Sequence, residues 1–320
     1  MKTILKDIFT KLHLKNLLLS IYFFFFNCGV YIRKQSKHFI NPKRVSKQIK
    51  KGYLNIYLDS DWLGFGARFI KTLELLNYAK IHNVELNIEY GYKDKKKLKY
   101  FSRLFEPISE RFFSNNKYIK IEDTNEIEKG TDLNVLLDLK SANQMLLETY
   151  VVCDSLKIEL DEFIKANFKN ERVLGVHYRG TDKEGEATRL QEEKLFVEIQ
   201  KYLKNGYSKI FISTDEINIL EKVKRRFYPV PVVYRHDAYR SSDGDQFHRK
   251  IENDKEVINH DALMNILILS KTDFLLKTAS IMSDCCFIFN PDLQYKILST
   301  PHSSNLTWWP ATELLNKNEN

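Results

Sequence analysis

The chain has 320 residues, 43% of them hydrophobic, with 50 basic against 42 acidic side chains and a formal net charge of +8. That hydrophobic share excludes an intrinsically disordered chain, and the length makes two domains the natural expectation. A basic balance suits a phosphate-bearing substrate, an anionic lipid or nucleic acid. Nucleic acid loses support because the cations are interleaved with acids and no helix-turn-helix or RNP-like pattern occurs. The lysine run "KDKKKLK" (Lys93–Lys99) reads as a solvated face.

In chain order, Asn16–Ile32 ("NLLLSIYFFFFNCGVYI") comes first. It carries no charge, lies between Lys11, Lys15 and Arg33, Lys34, and is close to the lower limit of about 17 residues for a spanning helix. No small-residue cleavage site follows, so a secretory signal is not expected. The segment reads either as an apolar helix lying on or anchored in a membrane surface or as a packing helix. Residues 1–46 are therefore set apart as an apolar and basic N-terminal segment. "GYLNIYLDS" (Gly52–Ser60) is a strand pattern, followed by a Gly-rich turn, a helix up to Asn83 and a second strand, "VELNIEY" (Val84–Tyr90). Residues 97–108 ("KLKYFSRLFEPI") read as a helix stopped near Pro107, Asp132–Leu139 as a strand, and Ser155–Phe168 as a helix.

The second half is more regular. Strands are expected at "RVLGVHY", "SKIFISTD", "PVVYRH" and "DFLLKTAS". Helices alternate with them at "EEKLFVEIQKYLKNG", "EINILEKVKRRF" and "KEVINHDALMNILILSKT". Strand–helix alternation of this kind predicts an α/β fold with doubly wound parallel sheets, divided into residues 47–165 and 166–320. The four cysteines, Cys28, Cys153, Cys285 and Cys286, have neither zinc nor disulfide spacing and favour a reducing compartment. The sequon at Asn305 reads as chance.

Ligands of open parallel sheets sit at the carboxyl ends of the strands. The polar residues there are His177, Arg179, Asp182 and Lys183, then Thr214, Asp215 and Glu216, then Arg235 and His236, then Thr278, Ser280 and Ser283. Arginine suits a diphosphate, because its planar guanidinium donates in pairs and stays charged. In the first half Asp59-Ser60-Asp61 has the Asp-x-Asp spacing that holds a metal in some nucleotide-sugar enzymes. A three-residue match is cheap, so no metal is expected. Asp59, Asp61, Gly64 and Gly66 are read instead as an acceptor-side loop. That loop has neither Gly-x-Gly-x-x-Gly nor a P-loop ending, which weakens dinucleotide and ATP readings. No Gly-x-Ser-x-Gly elbow and no clustered histidines point to serine or zinc chemistry.

At "GVHYRGTDKEGE" (Gly175–Glu186), "KIFISTDE" (Lys209–Glu216) and "LILSKTDFLLKTASIMSD" (Leu267–Asp284) the sequence resembles GDP-fucose-using fucosyltransferases. The likeness is nearest to the core α1,6-fucosyltransferases and the rhizobial nodulation-factor enzyme, and more distant to protein O-fucosyltransferases. "GFGARFIKTLELLNYA" (Gly64–Ala79) matches loosely. The resemblance implies a GT-B arrangement of two facing Rossmann-like domains. The C-terminal one binds the donor, the N-terminal one lies on the acceptor side, and no metal or other cofactor is needed. It gives Arg179 the donor's β-phosphate and His177 the guanine neighbourhood. Lys183, Thr214, Asp215, Thr278 and Ser280 become donor-side residues. The family's guanine-binding carboxylate aligns with Asn265, with Asp261 one turn earlier. The family's second arginine is Gly180 here, leaving Arg189, Arg235 and Arg240 as candidates for its charge. Its acceptor-site glutamate aligns with Ala187, or with Glu186 across a one-residue gap. Glu186 and then Asp182 are the expected bases beside Arg179.

The implied activity is inverting transfer of fucose from GDP-fucose to a glycan hydroxyl, on a surface polysaccharide or lipid-linked oligosaccharide. The expected partners are donor, acceptor and a membrane surface, in the cytoplasm at the inner membrane. Another nucleotide sugar, or a catalytically inactive carbohydrate- or nucleotide-binding protein, are the alternatives.

Overall fold

The computed structural model describes residues 42–59, 64–91, 104–107, 119–121, 137–180, 187–238, 240–241 and 255–299. The apolar segment Asn16–Ile32 lies outside them, and among the described residues no helix is long and apolar enough to cross a membrane.

Helix α1 (Pro42–Ile49) leads into β1 (Tyr53–Asp59), α2 (Phe65–Ile81) and β2 (Glu85–Gly91). Short strands β3 (Phe105–Pro107) and β4 (Ile119–Ile121) follow. Then come α3 (Leu139–Thr149), β5 (Tyr150–Val152) and α4 (Asp154–Asn167). The remainder alternates: β6 (Val173–Tyr178), α5 (Glu192–Lys204), β7 (Lys209–Thr214), α6 (Ile217–Arg226) and β8 (Val232–Val233). It closes with α7 (Lys255–Leu269), β9 (Phe274–Lys277), α8 (Ile281–Phe289) and β10 (Tyr295–Ile297).

The first half carries a three-stranded parallel sheet in the order β2-β1-β4. The second carries a five-stranded parallel sheet in the order β10-β9-β6-β7-β8. After β6 the chain winds outward through β7 and β8, then crosses back to β9 and β10. The topological switch therefore falls between β6 and β9, where an open parallel sheet has its crevice. Every residue of β6 and β7 is buried, as expected for central strands covered on both faces. Leu195, Ile199, Leu220 and Val223 of α5 and α6 pack in one core cluster with Leu174, Val176, Ile210 and Ile212. Helices α7 and α8 join a second cluster that also takes in β1, α2, α3 and α4.

Helix α2 ties the halves together. It packs against α3, α7 and α8, and from Phe65 to Leu76 it is buried on all sides. This burial extends to Arg68, Lys71 and Glu74, and Lys71 forms an ion pair with Glu74 within the helix. The fully buried Phe69 ring stacks on Phe105 at 5.5 Å and on Phe289 at 5.6 Å, so α2, β3 and α8 share one aromatic junction. Gly66 has its own reason to be glycine. A Cβ there would stand 3.1 Å from Ile281 Cγ2 and 3.2 Å from both Cys285 Sγ and the Ile281 carbonyl oxygen.

Three expectations change. Gly66 is not a loop residue but lies in the first turn of α2, where it lets α8 approach. The expected helix over 97–108 is not continued to its end: Phe105–Pro107 form β3, paired antiparallel with β5. A three-residue strand is too short to show alternation, and Pro107 reads equally well as a helix stop. The strand expected over Asp132–Leu139 gives way at its end to a helix start. Asp138 caps α3 by accepting from the Ser141 backbone N–H at 2.7 Å.

Candidate active site

The residues that close β6, β7 and β9 converge at the β6/β9 switch. At the end of β6, His177 is buried and its carbonyl accepts from the Thr278 N–H at 3.0 Å. Two residues on, just past the strand, the Arg179 N–H donates back to Thr278 Oγ1 at 3.1 Å. Thr278 thus clips β6 to the chain leaving β9, and its burial keeps that clip out of water. At the end of β7, Thr214 Oγ1 accepts from the Glu216 N–H at 3.2 Å, which turns the chain into α6. Asp215 Oδ1 accepts from the Gly180 N–H at 3.3 Å, and its Oδ2 lies 3.9 Å from Arg179 Nε. The Asp215 carbonyl accepts from the Ser241 N–H at 2.7 Å, so the segment after β8 is laced to the same corner.

Between these ends lies a small, shallow cleft, open to solvent. Arg179, Gly180, Thr188, Arg189, Thr278 and Ser299 line it. Two helix N-termini meet beside it. Ser280 is the N-cap of α8 and Gly64 that of α2, neither with a side-chain cap bond, and Gly66 of α2 abuts Ile281 of α8. The positive ends of two helix dipoles make this junction favourable for an anion. The loop from Thr278 to Ser280 is fixed at both ends. The Ala279 N–H donates to Ser299 Oγ at 2.8 Å. Lys277, at the end of β9, forms a fully buried ion pair with Asp284 in α8.

The pair expected at the base, Asp261 and Asn265, lies on α7 and makes contacts of its own. Asp261 Oδ1 lies 3.2 Å from Arg235 Nη2 and 3.8 Å from His260 Nδ1, while Asn265 Nδ2 donates to the Asp261 carbonyl at 2.9 Å. Arg235 is buried among Glu159 (3.4 Å), Asp237 (2.5 Å) and Asp261. Arg240 donates to the carbonyls of Ala238 and Arg235. Of the three arginines considered as replacements at Gly180, only Arg189 reaches the cleft.

Several groups around these strand ends have displaced protonation, Glu216 and His260 among them. Burial pushes the Glu216 carboxyl above its usual range; Arg189 opposes this and the neighbouring Asp215 charge adds to it. Hydrogen bonding to Asp261 raises the His260 imidazole above its usual range against the cost of burial, and the Glu159 charge helps.

The structure therefore brings together His177, Arg179, Thr214, Asp215, Thr278 and Ser280. Asp182, Lys183, Glu186 and Asp61 lie outside the described residues, and Asp59 is seen as the last residue of β1. Among the described residues no group of His, Cys, Asp or Glu side chains is arranged to hold a metal. Sequence reasoning missed Ser299 and the Lys277–Asp284 pair. Ser299 follows a three-residue edge strand with no pattern of its own. Lys277 reads as an ordinary polar residue ending a strand.

The class this architecture defines is a GT-B-type α/β scaffold, with a parallel sheet in each half. Solved structures that share the fold include fucosyltransferases. NodZ α-1,6-fucosyltransferase soaked with GDP-fucose matches with a TM-score of 0.50 and 14% identity, over 73% of this chain and 92% of that one. POFUT1 in complex with GDP matches with a TM-score of 0.50 and 10% identity, over 76% of this chain and 98% of that one. At such identities the likeness establishes the fold. No protein-family model and no curated protein matches the sequence.

Proposed function

We propose that this protein is a glycosyltransferase that moves fucose from GDP-fucose to a glycan hydroxyl with inversion and without a metal. The observation that carries the reading is Arg179. It stands at the switch point of the parallel sheet, its backbone fixed by Thr278 and its guanidinium beside Asp215. It also lines the cleft next to the junction of two helix N-termini. The scaffold is shared with enzymes solved with GDP-fucose and GDP.

The chemistry asks for this arrangement. Breaking the C1–O bond of the donor builds negative charge on the diphosphate. Without a metal, a guanidinium and backbone N–H groups must stabilise it. Arg179, the Ser280–Ile281 turn and the Gly64–Gly66 turn are the groups assigned to that task. His177, Thr214, Asp215 and Thr278 shape the donor side, the half over residues 166–320, and the half over residues 47–165 takes the acceptor. A carboxylate removes the acceptor proton as the new C1–O bond forms. Glu186 is the first assignment and Asp182 the second, on the strength of the motif. A surface or lipid-linked glycan is the acceptor class that suits the apolar segment Asn16–Ile32 and the basic residues that flank it.

The test is release of GDP from GDP-fucose by purified protein, followed chromatographically with and without EDTA and with a panel of glycans. The expected result is EDTA-insensitive turnover. It falls by about 10²–10³ in Arg179→Ala while the circular dichroism spectrum is retained. Unchanged turnover in that variant refutes the assignment. Tight GDP binding without any turnover points instead to a binding protein on the same scaffold.

A further inference from the structure

The cleft holds a second guanidinium. Arg189 lines it together with Arg179, and each is associated with one of two consecutive carboxylates at the end of β7. Arg179 Nε is 3.9 Å from Asp215 Oδ2, and Arg189 Nη2 is 3.7 Å from Glu216 Oε1. The segment bearing Arg189 is anchored on both sides. Ala187 and Leu190 are buried, and the Tyr178 hydroxyl donates to the Leu190 carbonyl at 3.3 Å. Between these anchors the Arg189 side chain remains 55% exposed, whereas its partner Glu216 is only 13% exposed.

The Glu216 carboxylate reaches this place only because residue 180 is glycine. A Cβ at Gly180 would stand 1.9 Å from Glu216 Oε1 and 2.8 Å from its Cδ, far inside any real contact. The carboxylate fills the volume that a side chain at 180 would take. Holding a partly desolvated carboxylate there is costly, as its raised protonation range shows. An exposed arginine needs no such partner for its own stability, since exposed ion pairs contribute about 0–1 kcal/mol. The arrangement makes physical sense if what it fixes is the direction of the Arg189 fork.

We propose that Arg189 is a second anion-gripping residue of the cleft, working with Arg179 on the two phosphates of a nucleoside diphosphate, and that Glu216, lodged in the space left by Gly180, is its positioning residue. The nucleoside part rests on the glycosyltransferase reading above; the grip on two linked phosphates does not. Two guanidiniums lining one cleft match two linked phosphates better than one, because each can supply paired N–H donors to a separate phosphate. In the reaction Arg189 moves no proton and forms no bond. It stabilises the charge that stays on the leaving diphosphate.

Calorimetric titration of the full chain with inorganic pyrophosphate, GDP and GMP tests this. The parent is expected to bind pyrophosphate and GDP. Arg189→Ala, an exposed change that leaves the fold intact, is expected to weaken both by roughly ten- to hundredfold and GMP far less. Glu216→Gln and Gly180→Ala are expected to change pyrophosphate affinity in the parent and to have no further effect in Arg189→Ala, because they act through that residue. A parent that binds pyrophosphate but not GDP, with the Arg189→Ala loss intact, upholds the two-arginine grip and overturns the GDP reading. Undiminished GDP and pyrophosphate binding in Arg189→Ala overturns the grip and leaves the function standing. Equal GMP and GDP losses, or additive effects of Glu216→Gln and Arg189→Ala, overturn the assigned roles. No binding of any of the three ligands to the parent overturns both.

Discussion

Lys277→Met is the perturbation whose consequence is most directly set by the structure. Lys277 and Asp284 are each 1% exposed and paired with each other, one at the end of β9 and the other in the first turn of α8. Removing the lysine leaves a carboxylate deep in the α8 contact without its cation. Breaking one partner of a buried pair costs about 3–5 kcal/mol. At about 2–4 °C per kcal/mol for a domain of this size, the melting temperature should fall by on the order of 10 °C. Replacing both residues, Lys277→Met with Asp284→Leu, removes the stranded charge along with the pair. Such exchanges are often neutral, or stabilising by about 1–4 kcal/mol. The double variant should therefore recover most of the loss. Differential scanning fluorimetry on parent, single and double variants decides it. A single variant within about 1 kcal/mol of the parent would show that the charge is not desolvated. A double variant as damaged as the single would show that the site needs the pair for shape rather than for charge balance.

Other consequences can be checked alongside. Gly66→Ala gains up to about 1 kcal/mol of helix propensity but overpacks the α2–α8 contact at a cost of about 1–3 kcal/mol. Urea unfolding should show a net loss, and a gain would contradict the close approach. Phe69→Ala empties the aromatic junction and should cost about 3–5 kcal/mol by the same measurement. The raised His260 imidazole contributes stability that is present below its ordinary value of 6.5 and is lost as pH rises through the raised value. The parent's melting temperature should decline across that window, and His260→Gln should flatten the decline; an unaltered slope would remove His260 from the account. Burial pushes the thiols of Cys153, Cys285 and Cys286 upward. Native protein at pH 8 should leave all three unmodified by iodoacetamide, as read by mass spectrometry, until it is unfolded.

The part of this architecture visible in the sequence is the part with long, regular periodicity. Strands β6 and β7 announce themselves as continuous apolar runs, and α5 and α6 as helices with one apolar stripe, because central parallel strands and the helices covering them have little freedom of composition. The rim at Arg179, Asp215 and Thr278 follows from the rule that places ligands past strand ends. What remained hidden depends on neighbours remote in sequence. Gly66 looks like a loop glycine until Ile281 and Cys285, over two hundred positions away, are packed against it. Strand β3 exists only through its pairing with β5, and Ser299 joins the site only because β10 adds an edge to β9. The importance of Glu216 rests on the missing Cβ at Gly180, and no spacing rule connects those two residues. Asp261 carries the right charge for a base contact, and its pairing with Arg235 and His260 is not visible in any spacing of the sequence.

The central claim is that the β6/β9 crevice grips a guanine nucleotide diphosphate through Arg179 without a metal. Calorimetric titration with GDP, UDP and ADP, in EDTA and again with magnesium, tests it most directly. The account predicts GDP binding that is indifferent to magnesium, stronger than UDP or ADP, and abolished in Arg179→Ala. Binding that requires magnesium, or that survives Arg179→Ala undiminished, would contradict it.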